Sequence, residues 1–252
     1  MNRHRIASVA GVIVIVPMVA AGCSSSASKQ DGSHADASVL AAKLGKSLKA
    51  LTAAHLDIDA GSLGGKSTAD VTLDNGHATA TDVQLSQSAG QIDVVTVDGK
   101  SYAKVPAGTS KSGKPWVLVR SDSTNPLVQT ISPALSVTGI ITSLSVVSGL
   151  VDSASDVQDH GSASVDGIPT THYTMKVDPN KSTGNSELDG MLRSLGGTKI
   201  PVDLWLDSQA RPVKFVLDIA LGSAKFPVTV DVSKFDAPLT ITAPPASEVG
   251  TG

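Results

Sequence analysis

The chain has 252 residues, of which 40% are hydrophobic, 17% charged and only 3% aromatic, the profile of a folded globular protein of one large or two small domains rather than a disordered or fibrous one. Twenty Lys and Arg against 23 Asp and Glu give a formal charge of -3, and the basic residues do not cluster, which excludes a protein that tracks nucleic-acid phosphates. The single cysteine excludes an internal disulfide, a cysteine-based zinc site and a CxxC redox motif.

In chain order, Arg3 and Arg5 precede an uncharged apolar run from Ile6 to Met18, too short to cross a bilayer as an ordinary helix and shaped as an export signal. Val19-Ala20-Ala21-Gly22-Cys23, with Ser24, Ser25 and Ser26 behind it, resembles a bacterial lipoprotein lipobox, Ala20 standing where that motif usually has leucine. The resemblance implies that residues 1–22 are a lipoprotein signal peptide and that Cys23 is the lipidation site, acylated on sulfur and amine. Two or three acyl chains hold a protein on a membrane stably where one holds it marginally. Residues 23–35 then read as the acylated cysteine and a Ser/Ala/Gly-rich flexible tether, reaching about 40 Å when taut.

Asp36 or Ser38 caps a helix that shows Leu40, Leu44, Leu48 and Leu51 on one face and ends near His55. Period two follows: Leu56, Ile58 and Ala60, then Ala69, Val71 and Leu73, then Val83 and Leu85, with Gly64-Gly65 and Asn75-Gly76 as turns. Gln91 to Val97 and Lys100 to Val105 flank Asp98-Gly99, a two-residue hairpin signal, and Trp116 to Val119 adds a short strand. Between Asn125 and Ser153 the apolar spacing becomes helical, for one or two helices. Val157 to Val165 and Ile168 to Val177 form a hairpin around Asp166-Gly167, and Glu187 to Leu195 a short helix. Alternation is clearest at the end: Val202, Leu204, Leu206; Val213, Phe215, Leu217, Ile219, Leu221; Phe226, Val228, Val230, Val232.

About eleven strands at about 4.8 Å each make a flat sheet on the order of 50 Å wide, which two or three helices about 10 Å across cannot cover. The fold class expected is therefore α+β: a strongly curved antiparallel sheet, a half-open β-barrel, with a few helices packed on its concave face. Residues 36–246 form one domain, and residues 247–252 a disordered tail. With aromatics scarce, the interior is either an apolar ligand cavity or a normally packed core. The positions expected to line a cavity are Val71, Leu73, Val83 and Leu85 in the first strands, Leu204, Phe215, Leu217 and Val230 in the last ones, and Ile140, Leu144 and Val147 in the helical segment. The stretch from Ile140 to Val151 is the candidate lid.

Val97-Asp98-Gly99-Lys100-Ser101-Tyr102, Val165-Asp166-Gly167, Ile200-Pro201-Val202-Asp203-Leu204-Trp205-Leu206-Asp207, and Lys234-Phe235-Asp236-Ala237-Pro238 through Ala243-Pro244-Pro245 together resemble the mycobacterial LppX and LprAFG lipoproteins. The resemblance implies a half-barrel with a large hydrophobic cavity, and a role in carrying acylated glycolipids or related lipids between envelope layers. Its implied partners are the lipid, the membrane through the N-terminal acyl chains on the outer face of the cytoplasmic membrane, and a membrane transporter. It supplies no catalytic residues, no cofactor and no metal. A structural or protein-binding envelope module with a filled core, and an envelope hydrolase, are the rival readings.

Motifs with chemical potential are near misses. Gly108 to Lys114 has phosphate-loop spacing, but Pro115 replaces the magnesium-binding hydroxyl residue and a strand follows in place of a helix. Gly61 to Ser67 is one residue short of that spacing. Ser101-Tyr102-Ala103-Lys104 matches SxxK, yet positions three apart on a strand face opposite sides. Asp57 and Asp59 share a strand face and read as a solvated surface. His34, His55, His77, His160 and His172 show no ligand spacing. Trp116 and Trp205 suit either a cavity rim or ordinary packing.

Overall fold

The computed structural model describes residues 32–250 apart from 64, 88–89, 107–109, 111, 121, 124, 195–197 and 222–223. The export signal, the lipobox and Cys23 lie outside the described residues. Ser33–His34 form strand β1 and Ala37–Ala50 form helix α1. Asp36 is the cap: its carboxylate accepts the N–H of Ser38 at 2.8 Å and of Val39 at 3.2 Å, two donors that a first helical turn leaves without an internal partner. Leu40, Leu44 and Leu48 form the buried face. The helix stops at Ala50 instead of near His55, because Thr52 donates both its N–H and its hydroxyl to the Asp236 carboxylate, at 2.8 and 3.1 Å.

A meander follows: β2 (Ala53–Asp59), β3 (Lys66–Asp74), β4 (His77–Gln87), β5 (Gly90–Val97), β6 (Lys100–Lys104) and β7 (Trp116–Val119). The apolar stretch after it is two helices, α2 (Pro126–Thr142) and α3 (Ser145–Ser153). Then come the hairpin of β8 (Ala154–Val165) and β9 (Ile168–Val177), helix α4 (Ser186–Ser194), strands β10 (Ile200–Leu206), β11 (Pro212–Leu221) and β12 (Ala224–Ser233), and β13 (Val249–Gly250). Three of the turns read from sequence hold positive φ at both central residues: Asn75 and Gly76 at 52° and 81°, Asp98 and Gly99 at 52° and 69°, Asp166 and Gly167 at 48° and 81°. That backbone matches the twist of the strands it joins, and Asn, Asp and Gly reach it at least cost.

All thirteen strands belong to one sheet, in the order β1-β8-β9-β10-β11-β12-β2-β3-β4-β5-β6-β7-β13. Neighbours are antiparallel except β13 beside β7. The pairing of β12 with β2, from Thr229 opposite Asp59 to Ser233 opposite His55, fuses the two meanders. The sheet is not closed; β1 and β13 are its ends.

Eleven of the strands, β2 to β12, lie where the sequence places them, and the other two, β1 and β13, are two residues each. They correct the expected boundaries. Ser33 and His34, placed in the flexible tether, pair with Asp159 and Gln158. Val249 and Gly250, placed in the disordered tail of residues 247–252, pair with Trp116 and Val117. An edge strand presents a row of unpaired N–H and C=O groups, and a short run of backbone satisfies them whatever its side chains.

The apolar positions alternate as read and point to one side. Leu56 and Ile58, Ala69 and Val71, Val83 and Leu85, Leu204 and Leu206, Phe215, Val230 and Val232 are buried in one continuous cluster with Leu44 and Leu48 of α1, Val147 and Leu150 of α3, and Leu188 and Leu192 of α4. Sheet and helices thus share a single core on one face of the sheet. Flat, thirteen strands would span about 60 Å against helices about 10 Å across, so covering that face requires the sheet to curve.

Candidate functional site

A cleft of about 240 Å³ opens between the C-terminal half of α2 and strands β4, β5 and β6. Leu135, Thr138, Gly139 and Thr142 come from the helix, Ala78 to Thr81 and Val83 from β4, Val94 and Thr96 from β5, and Ser101 from β6. The space exists because the facing side chains are short. Gly139 has nothing within 4 Å of the point where a Cβ would stand.

Helix α2 buries Val128, Ile131 and Ile140 in the core cluster, yet its first half is built with interruptions of the helical hydrogen-bond pattern. It starts with Pro126, whose fixed φ suits a first helical position, after a loop in which the Asn125 N–H donates to Ser123 Oγ at 3.2 Å. Inside it, the hydroxyls of Thr130 and Ser132 donate to the carbonyls four residues back, at 2.8 and 2.6 Å, and Pro133 has no N–H to give. These features loosen the ladder in the first half. The other end is fixed: the Ser145 N–H donates to the Gly76 carbonyl at 3.0 Å, and Ser145 Oγ lies 3.3 Å from His77 Nδ1.

Methyl groups and hydroxyls line the cleft, with no charged side chain among its residues. Ser101 Oγ is 2.8 Å from Thr96 Oγ1 and has no base beside it. Such a surface suits an apolar chain and offers no nucleophile–base pair for hydrolysis.

Of the positions expected to line a cavity, only Val83 reaches this cleft. Val71, Leu73, Leu85, Ile140, Leu144, Val147, Leu204, Phe215, Leu217 and Val230 are all buried in the core cluster. Side chains of α1, α3 and α4 fill the space above them. The expected lid from Ile140 to Val151 is divided: Ile140 belongs to the end of α2, while Val146, Val147, Leu150 and Val151 of α3 are core. Sequence reasoning missed the rest of the lining, among it Thr138, Gly139 and Thr142 of α2 and Ala78 and Ala80 of β4. Their signal is the run of small residues Ala78-Thr79-Ala80-Thr81, which period-two reading passes over because it weights large apolar side chains.

The other singled-out residues lie elsewhere. Trp205 stacks on His172 with ring centroids 4.4 Å apart, and His172 in turn stacks on His160 at 5.0 Å and meets Asp203 at 2.7 Å. This group occupies the face opposite Leu204. Trp116 carries the Lys104 ammonium 5.9 Å from its ring centre. Neither tryptophan lines the cleft. Lys104 pairs with Asp93 at 3.4 Å on the face opposite Ala103, so Ser101 and Lys104 do not meet. His55 meets Asp70 at 2.6 Å, and Asp59 accepts the Gly61 N–H, which holds its carboxyl below the usual range. Among the described residues no three His, Cys, Asp or Glu side chains are placed to hold a metal ion. In the loop from Gly108 to Lys114, residues 108, 109 and 111 lie outside the described residues, and strand β7 follows where a phosphate loop would need a helix.

The family described as LppX_LprAFG lipoprotein matches residues 36–241. No curated protein sequence matches the chain. Among solved structures it is similar to LprF from Mycobacterium bovis, at 18% identity over 85% of this chain and 99% of that one, with a TM-score of 0.55. It is likewise similar to the lipoprotein LppX from Mycobacterium tuberculosis, at 17% identity over 82% of this chain and 98% of that one, with a TM-score of 0.52. At this identity the likeness is one of fold.

Proposed function

Because the chain belongs to the LppX_LprAFG lipoprotein family, we propose that it is a lipid-binding lipoprotein of the cell envelope, which holds acyl chains beneath α2 and carries acylated lipids or glycolipids between envelope layers. The observation that carries this reading is the charge-free cleft between a loosely built helix and the apolar face of the sheet. At about 240 Å³ it is smaller than the 300–1,000 Å³ of typical small-molecule pockets, so loading requires α2 to lift. The Ser145–Gly76 tie supports a pivot at the α2–α3 corner.

The energetics favour such a carrier. Burying a methylene is worth about 0.8 kcal/mol, so exposing a sixteen-carbon chain to water costs on the order of 12 kcal/mol. A protein that wraps the chain removes most of that barrier, and contacts of this kind tolerate varied chain lengths. Acyl chains on Cys23 would keep the carrier on the outer face of the cytoplasmic membrane, where a transporter could hand over its cargo.

The filled core favours a second reading, a structural or protein-binding envelope module, since all eleven positions expected to line a cavity are packed in it and only Val83 also reaches the cleft. Native mass spectrometry of protein made in its own host separates the two. A bound lipid, displaced when the cleft is filled, supports the carrier; stoichiometrically empty protein supports the module.

A further inference from the structure

A second hollow, of about 820 Å³, lies on the other face of the sheet, against β6 and β7. Strand β6 is the partition. Ser101 lines the cleft beneath α2, whereas its neighbours Lys100 and Tyr102 line the outer hollow, as alternation along a strand requires. Leu118 of β7, the cross-strand partner of Tyr102, completes the floor. The facing wall is the chain beyond β12, with Ala243, Pro244, Ala246 and Val249. Two ties hold that wall in place: Val249 and Gly250 pair with Trp116 and Val117, and the Lys114 ammonium donates to the Ser247 carbonyl.

The hollow is built differently from the cleft. Its volume falls within the range of about 300–1,000 Å³ usual for small-molecule sites. Two cations and one anion line it: Lys100, Arg120 and Asp122. Arg120 donates through Nε and Nη2 to the two Asp122 carboxylate oxygens, at 2.9 and 3.1 Å. That fixes the plane of the guanidinium and leaves three of its five N–H groups to donate elsewhere. Among the described residues no carboxylate pairs with Lys100. One positive charge is therefore in excess over a floor of tyrosine and leucine.

We propose that this outer hollow binds a phosphate monoester carried on an apolar stem. The tetrahedral phosphate oxygens accept from Lys100 and from the free edge of Arg120, and the stem lies against Tyr102, Leu118 and Pro244. The site is independent of the cleft beneath α2, because a sheet one strand thick separates them.

The test is an NMR titration of the purified protein at low salt with dodecyl phosphate, with neutral dodecyl maltoside and with inorganic phosphate. Dodecyl phosphate should move the amide resonances of Lys100, Tyr102, Arg120 and Val249. The double variant Lys100→Glu, Arg120→Gln should weaken it by about tenfold or more, since both charge-assisted contacts are lost. Inorganic phosphate should move the same resonances only weakly, and equal affinity would show that the stem makes no contact and overturn the proposal. Ala246→Trp, an exposed position on the wall, should block binding while leaving the cations untouched. The proposal is overturned if dodecyl maltoside binds there as tightly, if Ala246→Trp binds normally, or if dodecyl phosphate moves only Leu135 and Thr138. That last pattern would report the cleft alone and leave the carrier reading standing.

Discussion

The N–H of Ser145 donates to the carbonyl of Gly76 at 3.0 Å, so the corner between α2 and α3 is fastened to the turn between β3 and β4. Gly76 holds φ at +81°, and a Cβ there would come within 3.5 Å of Leu48 on α1. One turn thus meets two helices. Gly76→Val should destabilise the fold by about 1–3 kcal/mol in urea unfolding, through backbone strain and pressure on α1. Amide exchange at Ser145 should accelerate in parallel. Full stability loss with unchanged exchange at Ser145 would break the link between turn and pivot.

Filling the cleft and overfilling the core should have different signatures. Gly139 is exposed, lines the cleft and has open space around its missing Cβ, so Gly139→Trp should lower lipid loading with little change in stability. Leu144 is fully buried, and Leu144→Trp should cost about 1–3 kcal/mol by overpacking before any effect on loading is felt. Comparing melting temperature with lipid bound per protein distinguishes them. Normal loading in Gly139→Trp would remove α2 from the binding surface.

Most of the fold was legible because one face of each strand is buried. The series Val202, Leu204, Leu206 and Val228, Val230, Val232 announces both strand and face, and the Asn-Gly and Asp-Gly pairs announce where each hairpin turns. Strands β1 and β13 carry no such mark, since pairing at a sheet edge is backbone chemistry and Ser33, His34, Val249 and Gly250 would read alike in a loop. The cleft was illegible for a different reason. Alternation identifies which residues face the helices, but the space left among them depends on where each helix comes to rest. Leu204 and Phe215 are packed in the core, whereas Ala78, Ala80 and Gly139 leave open space between them. The stacking of Trp205 on His172 likewise depends on the register of β10 against β9, which puts those two residues directly opposite.

Cys23→Ala should shift the protein from the membrane fraction to the soluble fraction of the cell envelope. The melting temperature should not change, since Cys23 stands ten residues before β1, the first of the described strands. Persistence of the variant on membranes would show that something other than N-terminal acylation holds it there.

Two carboxylates, the buried Asp189 and the half-buried Asp82, should respond to pH with opposite signs. The N–H and hydroxyl of Thr183, at 2.8 and 2.7 Å, hold the Asp189 carboxyl below its ordinary value of 3.8. The unfolded chain therefore takes up the proton first. The stability Asp189 contributes is complete above pH 3.8 and is lost as the pH falls toward its lower folded value. Asp82 behaves inversely: burial, followed by the charges of Asp93 and Asp70, pushes its carboxyl up, so its ionisation opposes folding once the pH has risen through that value. At pH 7 Asp189→Ala should cost about 1–3 kcal/mol, because the buried Thr183 N–H loses its acceptor. Asp82→Asn should gain less than about 1 kcal/mol, the side chain being partly solvated and its repulsion screened by salt. Urea unfolding at pH 7 and in acid reads both, and both differences should shrink in acid. A stabilising Asp82→Asn that keeps its full effect at low pH would mean that amide packing, not relief of charge, is the cause.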